Sequence, residues 1–258
     1  MKRLEVLRIV NEAYQFVWLQ RQDFALLGAP IALVLGTASA LLSYFRPVAN
    51  ADVPTISIGF ILSGVVVAVL SFAGWVVFAV AWHRRCLLPN HGSVVGQELR
   101  WQRRHSVFLG RTMVLGLLTI GLSMVLALPI RFVISATGGA GGVITAALWM
   151  AMIFIVEARF MLVFPASAVD DSMGFGQSWT RSQGNAFRIA AILILTSVPI
   201  SIAFAPIDWL VSTALQSQGL LHSLAALFIG SLVQTMLGLV VMACGVTGLS
   251  FCLRDMGE

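Results

Sequence analysis

Charge is the first thing this sequence lacks. Only 10% of its 258 residues are charged and 59% are apolar, whereas soluble domains run at about 25% charged and about 45–50% apolar. A single water-soluble core of this length would bury about 75% of its surface. So few charges would not cover the remainder. Lipid is the solvent that removes the conflict.

Cysteine and histidine are also sparse. Cys86, Cys244 and Cys252 form no close-spaced metal or redox pattern, so no disulfide is expected. Cys244 and Cys252 lie in an apolar run, where a thiol behaves as a small hydrophobe. His83, His91, His105 and His222 fall at span ends and in loops. They show no HExxH or His–carboxylate spacing, so no metal site is expected. Haem ligation calls for histidines inside a bundle, and these are expected at its edges. There is no GxSxG and no Ser/His/Asp or Cys/His grouping. The glycine cluster Thr137–Gly142 has no strand before it and no Lys-Ser/Thr after it, so it reads as a linker rather than a phosphate loop. No cofactor is expected, and the chain reads as a non-enzyme.

Long apolar runs are what the sequence has. A spanning helix needs about 20 of these residues, and six stretches qualify, near 24–45, 56–82, 110–130, 142–164, 188–207 and 223–251. The expected fold is an all-α, polytopic membrane protein forming one integral membrane domain. Pro199 and Pro206 predict a kink or an early end in the fifth span. The N-terminus does not read as a cleavable signal, because Glu5, Arg8, Asn11, Glu12 and Gln15 interrupt any apolar core before Phe24.

Basic residues set the expected orientation. Lys2, Arg3, Arg8 and Arg21 precede the first span. Arg84, Arg85, Arg100, Arg103, Arg104 and Arg111 cluster around the second connection, Arg181 and Arg188 around the fourth, and Arg254 lies in the tail. The opposite side carries Arg46 and Arg131. Both termini are therefore expected on the cytoplasmic side of the membrane. The net charge of +5 follows this topology, and no nucleic-acid partner is implied.

Residues 4–19 place Leu4, Leu7, Val10, Tyr14, Phe16, Val17 and Trp18 on a broad apolar arc opposite Arg8, Glu12 and Gln15, the pattern of an interfacial amphipathic helix. The segments around Trp101 and Trp179 look similar, and each leads through a polar break to Phe24, Phe108 or Phe187 and then a hairpin. A loose threefold repeat of interfacial helix plus hairpin is expected. Residues 46–55 read as a turn-rich outer connection, and 207–222 as a short outer helix ending near Gln216–Gly219.

Ionisable residues inside spans are the usual markers of function. Glu157 and Arg159 sit two apart and face different ways. Arg159 is expected to snorkel to the headgroups. Glu157 needs a partner, and Arg111 is the expected one, as a structural ion pair or a proton relay. Gln234 and Thr235 are expected to bond between helices. Small residues at Gly36/Ala40, Gly64/Ala68 and Ala243/Thr247 permit close helix contact.

The connection after the fourth span is the most distinctive stretch. Arg159 leads into a helix that Pro165 is expected to end, Asp170 and Asp171 to cap the next, and Gly184-Asn185 to close it. Together, Arg159, Pro165, Asp170, Asp171, Ser178, Trp179, Gly184, Asn185, Phe187 and Arg188 resemble the membrane domain of some bacterial glycerophosphoryl diester phosphodiesterases and related stand-alone inner-membrane proteins. The tail Leu249–Asp255 is similar too, with Cys252 where that family often has Tyr. The resemblance implies membrane architecture. It does not carry catalysis over, because the soluble domain and its His and carboxylate set are not in this chain.

Candidate functional or lipid-contact residues are accordingly Glu157, Arg159, Arg111, Asp170, Asp171, Trp179, Arg181 and Arg188. The expected function is to organise the envelope or scaffold a membrane partner, or a second copy, with the arginines on anionic headgroups. The alternative is a transporter or channel for a lipid or small amphiphile, suggested by Glu157, Arg159 and the proline-bearing fifth span.

Overall fold

Where lipid replaces water, a backbone N–H or C=O has no solvent partner, so each apolar stretch must close its hydrogen bonds within itself. The computed structural model describes residues 3–45, 58–88, 95–216 and 223–257. The regular structure among them is helical: α1 (Val6–Leu19), α2 (Arg21–Tyr44), α3 (Ile58–Leu87), α4 (Val95–Glu98), α5 (Arg103–Ala158), α6 (Val163–Ala168), α7 (Phe175–Arg181), α8 (Ala186–Gln216) and α9 (Leu224–Gly257). Six segments are long and apolar enough to cross a membrane: Arg21–Tyr44, Ile58–Leu87, Arg103–Val125, Ile144–Ala168, Ala186–Ala214 and Leu224–Gly257. The chain is an all-α, multi-pass membrane protein. Each span reaches further toward the charged connections than hydropathy indicates, because Arg84, Arg85, Arg103, Arg104 and Arg254 are themselves helical. The outer connection at 46–55, with Arg46, and residues His91 and His222 lie outside the described residues.

α5 contains two spans. A straight helix of its 56 residues would be about 84 Å long at ~1.5 Å per residue. Yet Thr119 Oγ1 donates to Glu157 Oε1, Arg111 Nη1 donates to Val163 O at 2.9 Å, and the rings of Phe108 and Phe164 lie 5.1 Å apart. The two halves therefore run back along each other as a hairpin. The reversal lies between Val125 and Ile144. Helical backbone is kept through 137–142, where a flexible linker was expected.

α8 does not end early at its prolines. The helix passes Pro199 and Pro206 and continues to Gln216, so the expected outer helix at 207–216 is a continuation of α8. Residues 217–222 lie outside the described residues. Proline is tolerated in spans where neighbouring groups re-satisfy the freed carbonyls. Beyond the prolines, Asp208 Oδ1 accepts from Gln234 Nε2 of α9 at 2.9 Å, the interhelical bond expected of Gln234. Thr235 bonds instead to Ser231 O on its own helix.

α9 packs on α1, α2, α3, α6 and α8, and is the spine of the bundle. α2 approaches it at Gly36, where an added Cβ would lie 3.1 Å from Leu232 Cα. Ala40, Ala243 and Thr247 are buried, whereas Gly64 meets nothing within 4 Å. Two of the three small-residue pairs thus serve helix contact. Trp82 is fully buried, stacked on Phe78 at 5.9 Å and edge-on to Phe16 and Phe24. The α5 hairpin sits at the periphery, with Met113, Val114, Leu117, Met124 and Val125 exposed, as lipid contact allows.

Short helices precede each hairpin: α1, α4 and α7. They differ in length, at 14, 4 and 7 residues. α1 is docked on protein: it packs across α8, α9 and α2, burying Ile9, Val10 and Ala13. Leu7, Trp18 and Leu19 stay outside, so only part of its apolar arc is left for acyl chains.

Candidate functional site

The first and last described segments and all three short helices meet at one end of the bundle, and this polar end holds most of the charge among the described residues. α1 is fastened there from two directions. Arg8 forms ion pairs with Glu5 at 3.1 Å, Glu12 at 2.9 Å and Asp255, and Arg254 pairs with Glu12 at 2.8 Å and Asp255 at 3.3 Å. Asp255 is buried. Its carboxylate, then Glu12, push the Arg8 pKa above its ordinary value. Tyr14 donates to Leu195 O of α8, and burial raises its phenol pKa.

The second fastening comes from the distinctive connection. Leu4 N donates to Asn185 Oδ1 at 3.2 Å, and Arg188 Nη1 donates to Leu4 O at 2.6 Å. Asn185 begins α8, accepting from Ile189 N through its carbonyl, rather than closing α7. Gly184 supplies the turn between them at φ 76°, a conformation that suits glycine.

Arg159 is engaged by α7. Its guanidinium lies 3.5 Å over the Trp179 ring and donates to Trp179 O at 3.0 Å. Its own carbonyl accepts from Ser178 Oγ at 2.7 Å and Ser182 Oγ at 3.2 Å. Arg159 thus clamps α7 onto the end of the fourth span. Arg181 reaches the last turn of α9, where its Nη2 would lie 2.9 Å from a Cβ on Gly257.

Three expectations are corrected here. Arg111 does not pair with Glu157: it bonds Val163 O, while Glu157 takes the Thr119 hydroxyl. Pro165 does not end a helix. The break falls at residues 159–162, and Pro165 sits in the first turn of α6, where the missing N–H leaves no helical bond unmade. Nor does either aspartate cap α7, whose N-cap is Gly174. Asp171 Oδ1 accepts from Met173 N at 3.2 Å. Asp170 adopts φ 61° and faces Arg104 at 3.2 Å and Arg84 at 3.6 Å.

Those arginines line a feature the sequence did not disclose. A cavity is bounded by Val80, Ala81, Arg84, Gln97, Glu98, Gln102, Arg104 and His105. Across Arg104 a second is lined by Arg103, Arg111, Ser167, Asp170, Asp171 and Ser172 among others. Arg85 stands behind the first, reaching Asp23 at 3.4 Å and Glu98 at 3.7 Å. The two cavities form a basic trough beside α5.

His83 and His105 are each only 1% exposed, not edge residues as expected. His83 Nδ1 lies 2.7 Å from Ser250 Oγ, whose hydroxyl donates to Val246 O. The imidazole Nδ1–H is therefore the donor to Ser250. Thr247 Oγ1 likewise donates to Ala243 O and accepts from Trp82 Nε1 at 2.8 Å and Cys86 Sγ at 3.6 Å. This layer joins α3 to α9. The three cysteines are buried and free. No group of three His, Cys, Asp or Glu among the described residues is placed to hold a metal.

No family model, curated protein or solved structure matches this chain.

Proposed function

We propose that the protein is a non-enzymatic scaffold of the bacterial inner membrane, with its polar end in the cytoplasm. There its arginine face engages anionic headgroups and seats a membrane partner or a second copy of the chain. We also infer that it is a stand-alone relative of the phosphodiesterase-linked membrane domain that its fourth connection resembles.

The observation that carries the scaffold reading is the basic trough set among interlocked charges at the polar end. Arg8, Arg85, Arg159, Arg188 and Arg254 are engaged in holding short helices or the segment before α1 to the bundle. That leaves a rigid face with Arg103, Arg104 and Arg111 opening on the trough. Glu157 favours the scaffold over the transporter, because its partner is Thr119 of the same hairpin. The family reading is supported by how the motif residues act together: Arg159 with Trp179 and Ser178, Asn185 and Arg188 with Leu4.

Extraction in native membrane discs, followed by lipid quantitation and in-membrane cross-linking, tests the proposal. Enrichment of anionic lipid over the bulk membrane, with a defined cross-linked partner or dimer, is expected. Bulk-like lipid with no discrete cross-link, or solute flux through liposomes carrying the wild type, overturns it.

A further inference from the structure

We propose that the cavity between α3, α4 and the start of α5 binds a phosphate group, carried by the headgroup of an anionic phospholipid whose chain lies along α5. This rests on the scaffold reading for its membrane setting and gives it a particular site and ligand.

The observation behind it is a buried donor without an acceptor. His105 Nδ1 accepts the backbone N–H of Gln102 at 2.9 Å, so the neutral ring carries its proton on Nε2. Nε2 is buried and has no partner among the described residues. Buried N–H groups are almost always satisfied, and the wall on which this one sits also carries Arg84 and Arg104. Two guanidinium groups beside an unpaired N–H favour an anion with several acceptor oxygens, which a phosphate supplies.

The carboxylates nearby do not fill that role. Glu98 lines the same wall but pairs with Arg85. Asp171 Oδ1 is engaged by Met173 N. Asp170 is shared by Arg84 and Arg104 with its side chain 63% exposed, and a guanidinium has five N–H donors. Both arginines keep donors for a second anion. Arg103 and Arg111 extend the trough beyond Arg104, with Ser167 and Ser172 on its far wall.

Position favours a lipid over a soluble phosphate. The trough lies at the polar ends of α3 and the first α5 span, where headgroups sit. Val107 lines it, and Val107, Arg111, Val114 and Leu118 follow one another on a single helix face. Val107, Val114 and Leu118 are exposed. An acyl chain laid on that stripe carries its phosphate past Arg111 to Arg104, which borders both cavities, and so to the site with Arg84 and His105.

The test uses the full-length protein in neutral detergent. Native mass spectrometry follows binding of short-chain phosphatidylglycerol against phosphatidylcholine, and calorimetry follows inorganic phosphate. The expected result is one phosphatidylglycerol per chain, displaced by phosphate and preferred over phosphatidylcholine. Arg84→Gln and Arg104→Gln should each weaken it at least about tenfold, the scale of one charge-assisted hydrogen bond. His105→Gln keeps an acceptor for the Gln102 N–H and should weaken binding without lowering the melting temperature. Arg131→Gln should bind as wild type. Saturable phosphate binding with the same arginine dependence, but no phosphatidylglycerol binding, keeps the phosphate site and overturns the lipid source. Equal binding by wild type and the Arg84→Gln/Arg104→Gln double variant overturns the site, leaving water on His105. Capture of a partner by wild-type protein is a separate readout, so failure here and failure of the scaffold proposal are distinguishable.

Discussion

The guanidinium of Arg188 donates to the carbonyl of Leu4, 184 residues away, at 2.6 Å. Asn185 takes the Leu4 N–H from the same end of α8, so one residue of the N-terminal segment is held by both its backbone groups. Leu4 is itself buried, and an unpaired buried backbone group costs about 1–3 kcal/mol. Asn185→Ala should therefore destabilise the protein by that order and expose the segment before α1 to protease. Limited proteolysis with N-terminal sequencing checks it. A segment as protected as in wild type would show that α1 docks without this bond.

Asp255 joins two arginines on different helices, and the outcome depends on which partner is removed. Asp255 is buried, whereas the side chains of Arg8 and Arg254 are 41% and 38% exposed. Asp255→Asn should release α1 and lower the melting temperature clearly. Arg8→Gln should matter less, since Arg254 still holds Asp255 and Glu12. Alkaline pH should not mimic either change. A folded pKa raised above the unfolded one gives stability that is complete below the unfolded value and is lost only as pH rises through the folded one. For Arg8 that window lies beyond any ordinary buffer. Melting curves from pH 7 to pH 10 should show no loss traceable to Arg8, and Arg8→Gln measured alongside supplies the comparison.

Arg159 and Trp179 are coupled by stacking at 3.5 Å. A cation–π contact at an exposed site such as this one contributes about 0.5–1 kcal/mol, and lysine keeps the charge but not the planar overlap. Arg159→Lys should loosen α7, raising amide exchange over 175–181 by roughly two- to fivefold, with little change in α3 or α9. Unchanged exchange would place the hold on α7 in Ser178 and Ser182 instead.

Glu157→Gln separates a structural carboxylate from a functional one. The amide oxygen can still accept from Thr119, so assembly and stability should stay within about 1 kcal/mol of wild type. Glu157→Leu, which leaves the hydroxyl with only Leu115 O, should weaken the α5 hairpin. If Glu157→Gln behaves like Glu157→Leu in a thermal melt, the charge itself is required and the hydrogen-bond account fails.

How far the sequence discloses this molecule depends on what each feature rests on. The six spans and the one-sided arginines follow from lipid as solvent, which acts on every residue of a span at once. Pairing partners depend on helix rotation and on where a span stops. Glu157 was expected to meet Arg111 and meets Thr119, because α5 turns Arg111 toward α6. His83 and His105 looked peripheral because hydropathy ends the spans before the ion-paired turns that carry them. The left-handed Asp170 has no local sequence signal, since nothing marks it from Asp171. The motif residues Arg159, Ser178, Trp179, Asn185 and Arg188 stand out as a pattern, but the stacking of Arg159 on Trp179 and the hold on Leu4 come only from the fold.

Gly36 and Gly64 look equivalent in the sequence, each followed four residues later by alanine. The fold distinguishes them. At Gly36 a methyl group would lie 3.1 Å from Leu232 Cα and 3.2 Å from its backbone nitrogen. Backbone atoms cannot swing aside as a side-chain end can, so α2 and α9 would have to separate along the best-packed seam of the bundle. Overpacking of this kind costs about 1–3 kcal/mol, and Gly36→Ala should lower the melting temperature accordingly. At Gly64 the same methyl meets nothing within 4 Å, and alanine favours a helix over glycine by up to about 1 kcal/mol. Gly64→Ala should therefore be neutral or stabilising. Parallel melts in one detergent decide the matter, and equal effects at the two positions would mean that α2 does not approach α9 this closely.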